Sequence, residues 1–136
     1  MVRIINKNFS IDIDSLTAMS EKITNDLKMI GDITIKLSDI EESRALNMQY
    51  RKKDYPTDVL SFPINEKFPD SFYIGDILIC FPVAKEQAEV NNISVNRELF
   101  TLICHGILHL AGYDHETDSG KMVEIQNKLI DRHFQE

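Results

Sequence analysis

Apolar and polar positions along the chain fall into two rhythms, and the switches between them outline the fold. Val2 to Phe9 alternates weakly, which predicts a first strand. From Asp14 to Met29 the apolar residues Leu16, Met19, Ile23 and Leu27, followed by Ile30, recur at helical spacing; Asp12, Asp14 or Ser15 can cap this helix and Gly31 stops it. Ile33, Ile35 and Leu37 alternate over a second strand. Ser38 or Asp39 can then cap a helix to about Tyr50, with Ile40, Leu46 and Tyr50 facing in. Arg51 to Thr57 is a charged loop. Val59 to Ile64 is nearly all apolar, which predicts a third strand buried on both faces. Asn65 to Ser71 reads as a loop turning at Pro69-Asp70, and Tyr73 to Phe81 as a fourth strand.

Three helices complete the pattern. Pro82 suits the first turn of one that runs to about Val90 and breaks at Asn91 to Ser94. Ser94 fits the cap of the next, from Val95 to Ala111, whose second half, LFTLICHGILHLA, is apolar all round and therefore lies inside the protein. Gly112 ends it. Thr117 or Asp118 caps the last, with Met122, Ile125, Leu129 and Ile130 on its inner face. The order β-α-β-α-β-β-α-α-α predicts one α+β domain over residues 1–136, a small mixed four-stranded sheet packed with about five helices.

At 136 residues, 43% hydrophobic and 27% charged, the chain is long and apolar enough to bury a core of ordinary size. No apolar run reaches 18 residues, and the N-terminus lacks an apolar leader segment, so a cytoplasmic protein with no membrane partner is expected. Cys80 and Cys104 sit in apolar runs and read as buried, reduced thiols. The net charge of -7 excludes a general nucleic-acid coat protein, because neutralising phosphates needs a basic surface; it leaves room for a local basic groove.

The richest chemistry lies in His105-Gly-Ile-Leu-His109-Leu-Ala-Gly112-Tyr-Asp-His115. His105 and His109, four apart on a helix, share a face and lie about one turn apart. Glycine at 112 permits a left-handed exit that can swing His115 back to the same ion. Three imidazoles leave one position of a tetrahedral zinc open, the pattern of a catalytic rather than a structural site. Three of the chain's four histidines fall in these eleven residues, and burying them unpaired in so apolar a helix costs several kcal/mol. Cys104 points about 100° away from His105 around the helix, outside the ligand set. Asp114 is either a partner for a ligand imidazole or a turn residue. His133 reads as a surface residue.

The spacing is that of the metzincin proteases, but the glutamate that serves them as base is replaced here by Gly106, and Glu98 lies two turns upstream, about 10 Å along the axis. Peptide hydrolysis without a base is a poor fit. A phosphodiester makes other demands: its transition state is anionic, so a metal and a cation supply most of the stabilisation. The chain offers Arg44, Arg51, Lys52 and Lys53 around one helix end and loop, and Arg97 ahead of the histidine helix; Arg51 is the best phosphate clamp. On spacing alone, a solvated charged turn is the simpler account of residues 51–53.

Several segments together resemble the YbeY family of bacterial ribosomal-RNA maturation endoribonucleases. They are LNMQYRKKDYPTDVLSFPI (46–64), GDILIC (75–80), RELFTLICHGILHLAGYDHE (97–116) and the M-x-x-x-Q helix that follows. HGILHLAGYDH is highly specific; the others are weak alone. The resemblance implies an α+β fold with a metzincin-like zinc site on a buried helix, one zinc ion on His105, His109 and His115, and Arg51 as the functional arginine. It also marks Asp58, Ser61 and Asp76 as recurrent positions. The implied activity is metal-dependent cleavage of single-stranded ribosomal RNA in 3′-end processing of the small-subunit RNA and in ribosome quality control. The implied partners are that RNA and the ribosome or its small-subunit proteins. Two other readings remain: a metalloprotease-like hydrolase without the usual glutamate, and a non-catalytic ribosome-assembly factor in which zinc only staples the fold.

Overall fold

The computed structural model describes residues 1–114 and 120–136. Its elements run in the expected order: β1 (Val2–Ile5), α1 (Ile13–Asp26), β2 (Asp32–Ser38), α2 (Ile40–Arg51), β3 (Val59–Phe68), β4 (Ser71–Cys80), α3 (Phe81–Val90), α4 (Val95–Leu110) and α5 (Lys121–His133). Side-chain caps set three helix starts: Asp12 accepts from the Ser15 amide, Asp39 from Glu42 and Ser94 from Arg97. Thr117 and Asp118, the expected caps of the last helix, lie outside the described residues. Gly120, left-handed at φ 86°, stands at the N-cap position of α5.

The strands form one mixed sheet in the order β1-β2-β4-β3. β1, β2 and β4 are parallel, and β3 runs antiparallel to β4 at an edge. Alternation along the strands sorts the two faces. Ile33, Ile35 and Leu37 of β2 and Ile77 and Ile79 of β4 are buried on the face that meets α4. Thr34, Lys36, Asp76 and Leu78 point to the other face, where α2 lies. Leu99, Phe100, Ile103, Cys104, Ile107 and Leu108 bury most of the circumference of α4, as its apolar sequence requires.

Five expectations need correction. β1 ends at Ile5, because Asn6 and Phe9 close a turn through two side-chain–backbone hydrogen bonds and Asn8 is left-handed. α1 ends at Asp26, with Lys28 left-handed, well short of Gly31; Ile30 is consequently 88% exposed. Gly31 instead admits a close approach of β4, since a Cβ there would sit 2.7 Å from the Phe72 carbonyl oxygen. On α2, Ile40 and Tyr50 are exposed rather than inward, leaving Leu46 partly buried. β3 is an edge strand with only Leu60 buried, and it continues to Phe68 in a hairpin that turns at Pro69-Asp70. Pro63 suits this edge, since a central strand needs its amide. Finally, His133, expected on the surface, is half-buried: its Nε2 lies 2.6 Å from Asp26 Oδ2, joined there by Arg132.

Candidate functional site

α4 holds His105 and His109 one turn apart, and their Nε2 atoms approach to 3.2 Å. The rings meet edge-on, with planes 71° apart. A tetrahedral ion bonded at roughly 2.0–2.1 Å holds two nitrogens about 3.3 Å apart, so the pair fits one shared cation. Gln126 on α5 lies against His105. Its Oε1 lies 3.2 Å from His105 Nδ1, and since an amide oxygen only accepts, a hydrogen bond there needs the tautomer with the proton on Nδ1, which leaves the Nε2 lone pair on the His109 side. Among the described residues no third histidine, cysteine or carboxylate joins the two in a metal-sized group. His115, the third expected ligand, lies outside the described residues.

The chain leaves α4 as expected. Gly112 is left-handed at φ 99°, and the Tyr113 and Gly112 amides donate to the carbonyls of Leu108 and His109, the hydrogen-bond pair of a glycine-terminated helix. That exit sets Asp114 in the wall of a cleft of about 640 Å³ over the histidine pair, where Arg51, Asp58, Ser61 and Pro63 form the facing wall.

The loop after α2 is pinned so as to aim those residues. Asn47 donates to the Tyr55 carbonyl at 2.8 Å, and Ser43 exchanges hydrogen bonds with Thr57. Asp58 then accepts from the Val59 amide at 2.8 Å and from Gln87 at 3.4 Å. Ser61 donates to the Gly106 carbonyl at 3.4 Å, tying edge strand β3 to the histidine helix. Of the cations considered, Arg44 is engaged by Asp54 through two hydrogen bonds and Arg97 lies over the Phe134 ring. Lys52 and Lys53 are exposed, and neither lines the cleft. Arg51, the last residue of α2, reaches the cleft.

Asp76 is not gathered with the others. It faces the opposite side of the sheet, where the Tyr73 hydroxyl donates to it and lies 2.7 Å from the Thr34 hydroxyl. Burial, then Asp76, pushes the Tyr73 hydroxyl above its ordinary pKa, which keeps it a donor.

Two features escaped sequence reasoning. Gln126 is visible in the sequence only as part of the M-x-x-x-Q likeness; its role needs α5 laid against α4. Glu98 is buried, and burial followed by the Asp58 charge pushes its carboxyl above the usual range. It does not line the cleft. Gly106 explains the missing protease base. A Cβ there would come within 2.8 Å of Ile77 Cγ2, so the position that carries glutamate in metzincins has no room for a side chain against β4. Cys104, buried beside His105, has its thiol pushed up to about 12 by burial and stays an inert core residue.

Paired imidazoles on a core helix, one beside a glutamine and both opening into an arginine-rimmed cleft, mark an α+β domain of the hydrolase class. The chain belongs to the YbeY family: the family described as Endoribonuclease YbeY matches residues 3–133. An Endoribonuclease YbeY of Sulfurihydrogenibium sp. (strain YO3AOP1) is 42% identical over 133 residues, covering 94% of this chain and 84% of that protein. One from Persephonella marina is 45% identical over 118 residues, covering 85% of this chain and 76% of its own length. The solution structure of TM1509 from Thermotoga maritima superposes with a TM-score of 0.71 at 33% identity, over 96% of this chain and 87% of that one.

Proposed function

We propose that this protein is an endoribonuclease that cuts single-stranded RNA in the cleft between α4 and β3, working in 3′-end processing of small-subunit ribosomal RNA and in ribosome maturation. The observation that carries the reading is that His105, His109 and Arg51 share one cleft on the family's fold. His105 and His109, with His115, would hold one zinc ion, which when bound would supply Lewis-acid stabilisation of the phosphate's developing charge. Gln126 fixes the tautomer and angle of His105. Arg51 binds the phosphate and neutralises it through the transition state, a role that suits a planar guanidinium. Asp58, committed to the Val59 amide and Gln87, shapes the wall; Ser61 holds β3 to α4; Asp114 bounds the far side.

The overall charge of -7 opposes tight binding of free RNA, so the ribosome or its small-subunit proteins are the expected context, in the cytoplasm. No described helix is long and apolar enough to cross a membrane. The test is end-group analysis of fragments from single-stranded RNA, with and without a chelator. Internal cleavage that a chelator abolishes and zinc restores is expected, and the new 5′ ends report whether water or the RNA 2′-hydroxyl attacks. Chelator-insensitive cleavage, or none, overturns the reading.

A further inference from the structure

The sheet's two faces are unequally covered. α4 and its neighbours bury one; on the other, beside α2, a cavity of about 820 Å³ stays open. It follows α2 along Glu42, Leu46 and Tyr50, one stripe of the helix, to Arg51, a run of about 13 Å at the helical rise. Arg51, Leu60, Ser61 and Pro63 line both this cavity and the histidine cleft, so the two meet across edge strand β3. At the Arg51 end, the Tyr50 and Phe62 rings stand edge-on at 5.0 Å, and Tyr50 is 59% exposed. The inner end is polar: the Lys36 ammonium pairs with Glu42 at 2.6 Å, close to the Thr34 hydroxyl and the Asp76 carboxylate.

We propose that this cavity receives a nucleobase of the RNA strand whose phosphate rests on Arg51. The proposal rests on the nuclease reading and adds a subsite to it. An aromatic pair offers a stacking surface, and donors and acceptors at the inner end match the edge of a base. Arg51, common to both cavities, lets one nucleotide place its phosphate in the cleft and its base behind β3. An apolar peptide side chain would set bare carbon against the charged Lys36–Glu42 pair and Asp76, which a base edge can instead solvate.

The test is a titration of the isotope-labelled protein with AMP, GMP, CMP, UMP and ribose 5-phosphate, followed by amide chemical shifts, beside cleavage of a single-stranded oligonucleotide. At least one nucleotide should shift Thr34, Lys36 and Phe62 and bind about five-fold or more tighter than ribose 5-phosphate. Phe62→Ala should erase that margin, as should Leu46→Trp, which fills the cavity. Equal binding of all five ligands, shifts confined to the cleft, or a margin that survives both variants overturns the subsite. Cleavage that persists without a base preference sinks the subsite alone; a base preference without any cleavage sinks the nuclease reading and leaves the subsite standing.

Discussion

Replacing Gln126 by leucine removes the acceptor on His105 Nδ1 while nearly keeping the side chain's volume. The bond lost is 3.2 Å long, and with it goes the constraint that turns the Nε2 lone pair towards His109. Loss of such a partner lowers metal affinity about 10–100-fold, which is about 1.4–2.7 kcal/mol. Zinc bound only to the folded state stabilises it in proportion to ln(1 + [Zn]/Kd), so at saturating zinc the variant lacks that same amount of metal-dependent stability. For a chain of 136 residues, at about 3–5 °C per kcal/mol, the zinc-induced rise in Tm shrinks by roughly 4–13 °C. The assay pairs competition against a chromogenic zinc chelator with calorimetry in zinc and in EDTA. The metal-free forms should melt alike, and Gln126→Glu, which keeps an acceptor, should keep the affinity. Equal zinc affinity in the leucine variant and the parent would refute the orienting role.

Three further perturbations probe the same account. Arg51→Ala should lower kcat/KM on single-stranded RNA about 10²–10³-fold while zinc content is kept and stability stays within about 0.5 kcal/mol, because the side chain is exposed and serves the phosphate; an unimpaired variant removes Arg51 from the reaction. Gly106→Ala should lower stability by about 1–2 kcal/mol in urea, since overpacking against Ile77 outweighs the gain in helix propensity; a variant as stable as the parent would show that β4 yields. The hydrogen bond from His133, aided by Arg132, outweighs desolvation and holds the Asp26 carboxyl below its ordinary value of 3.8. A depressed acid pKa adds stability above the unfolded value, lost as pH falls through the folded one, so urea midpoints should drop below about pH 4 and Asp26→Asn should flatten that drop. Identical acid profiles for the two proteins contradict the latch.

Sequence showed what is local and missed what is set across space. His105 and His109 were legible because four residues on a helix fix a common face whatever surrounds them. Ser94 and Gly112 were legible for the same reason, and Asp12 and Asp39 as one of two or three neighbouring candidates: caps and left-handed exits are settled within one turn. Val59 to Ile64 misled because an apolar run looks the same on a central strand and on an edge next to an apolar cavity. Tyr50 has helical spacing but faces a sheet surface that no second helix covers. Gln126 and His133 find their partners 21 and 107 residues away, beyond the reach of any periodicity. Ile30 fell outside because α1 ended at Asp26 with Lys28 left-handed, a position with no glycine to announce it.

The central claim is that one zinc ion sits between His105 and His109 in the cleft that Arg51 closes. Anomalous scattering at the zinc edge, from crystals of the zinc-loaded protein, tests it most directly. The account predicts one strong peak per chain within bonding distance of both Nε2 atoms. A peak elsewhere, or none at that place in crystals whose zinc content is confirmed, would contradict it.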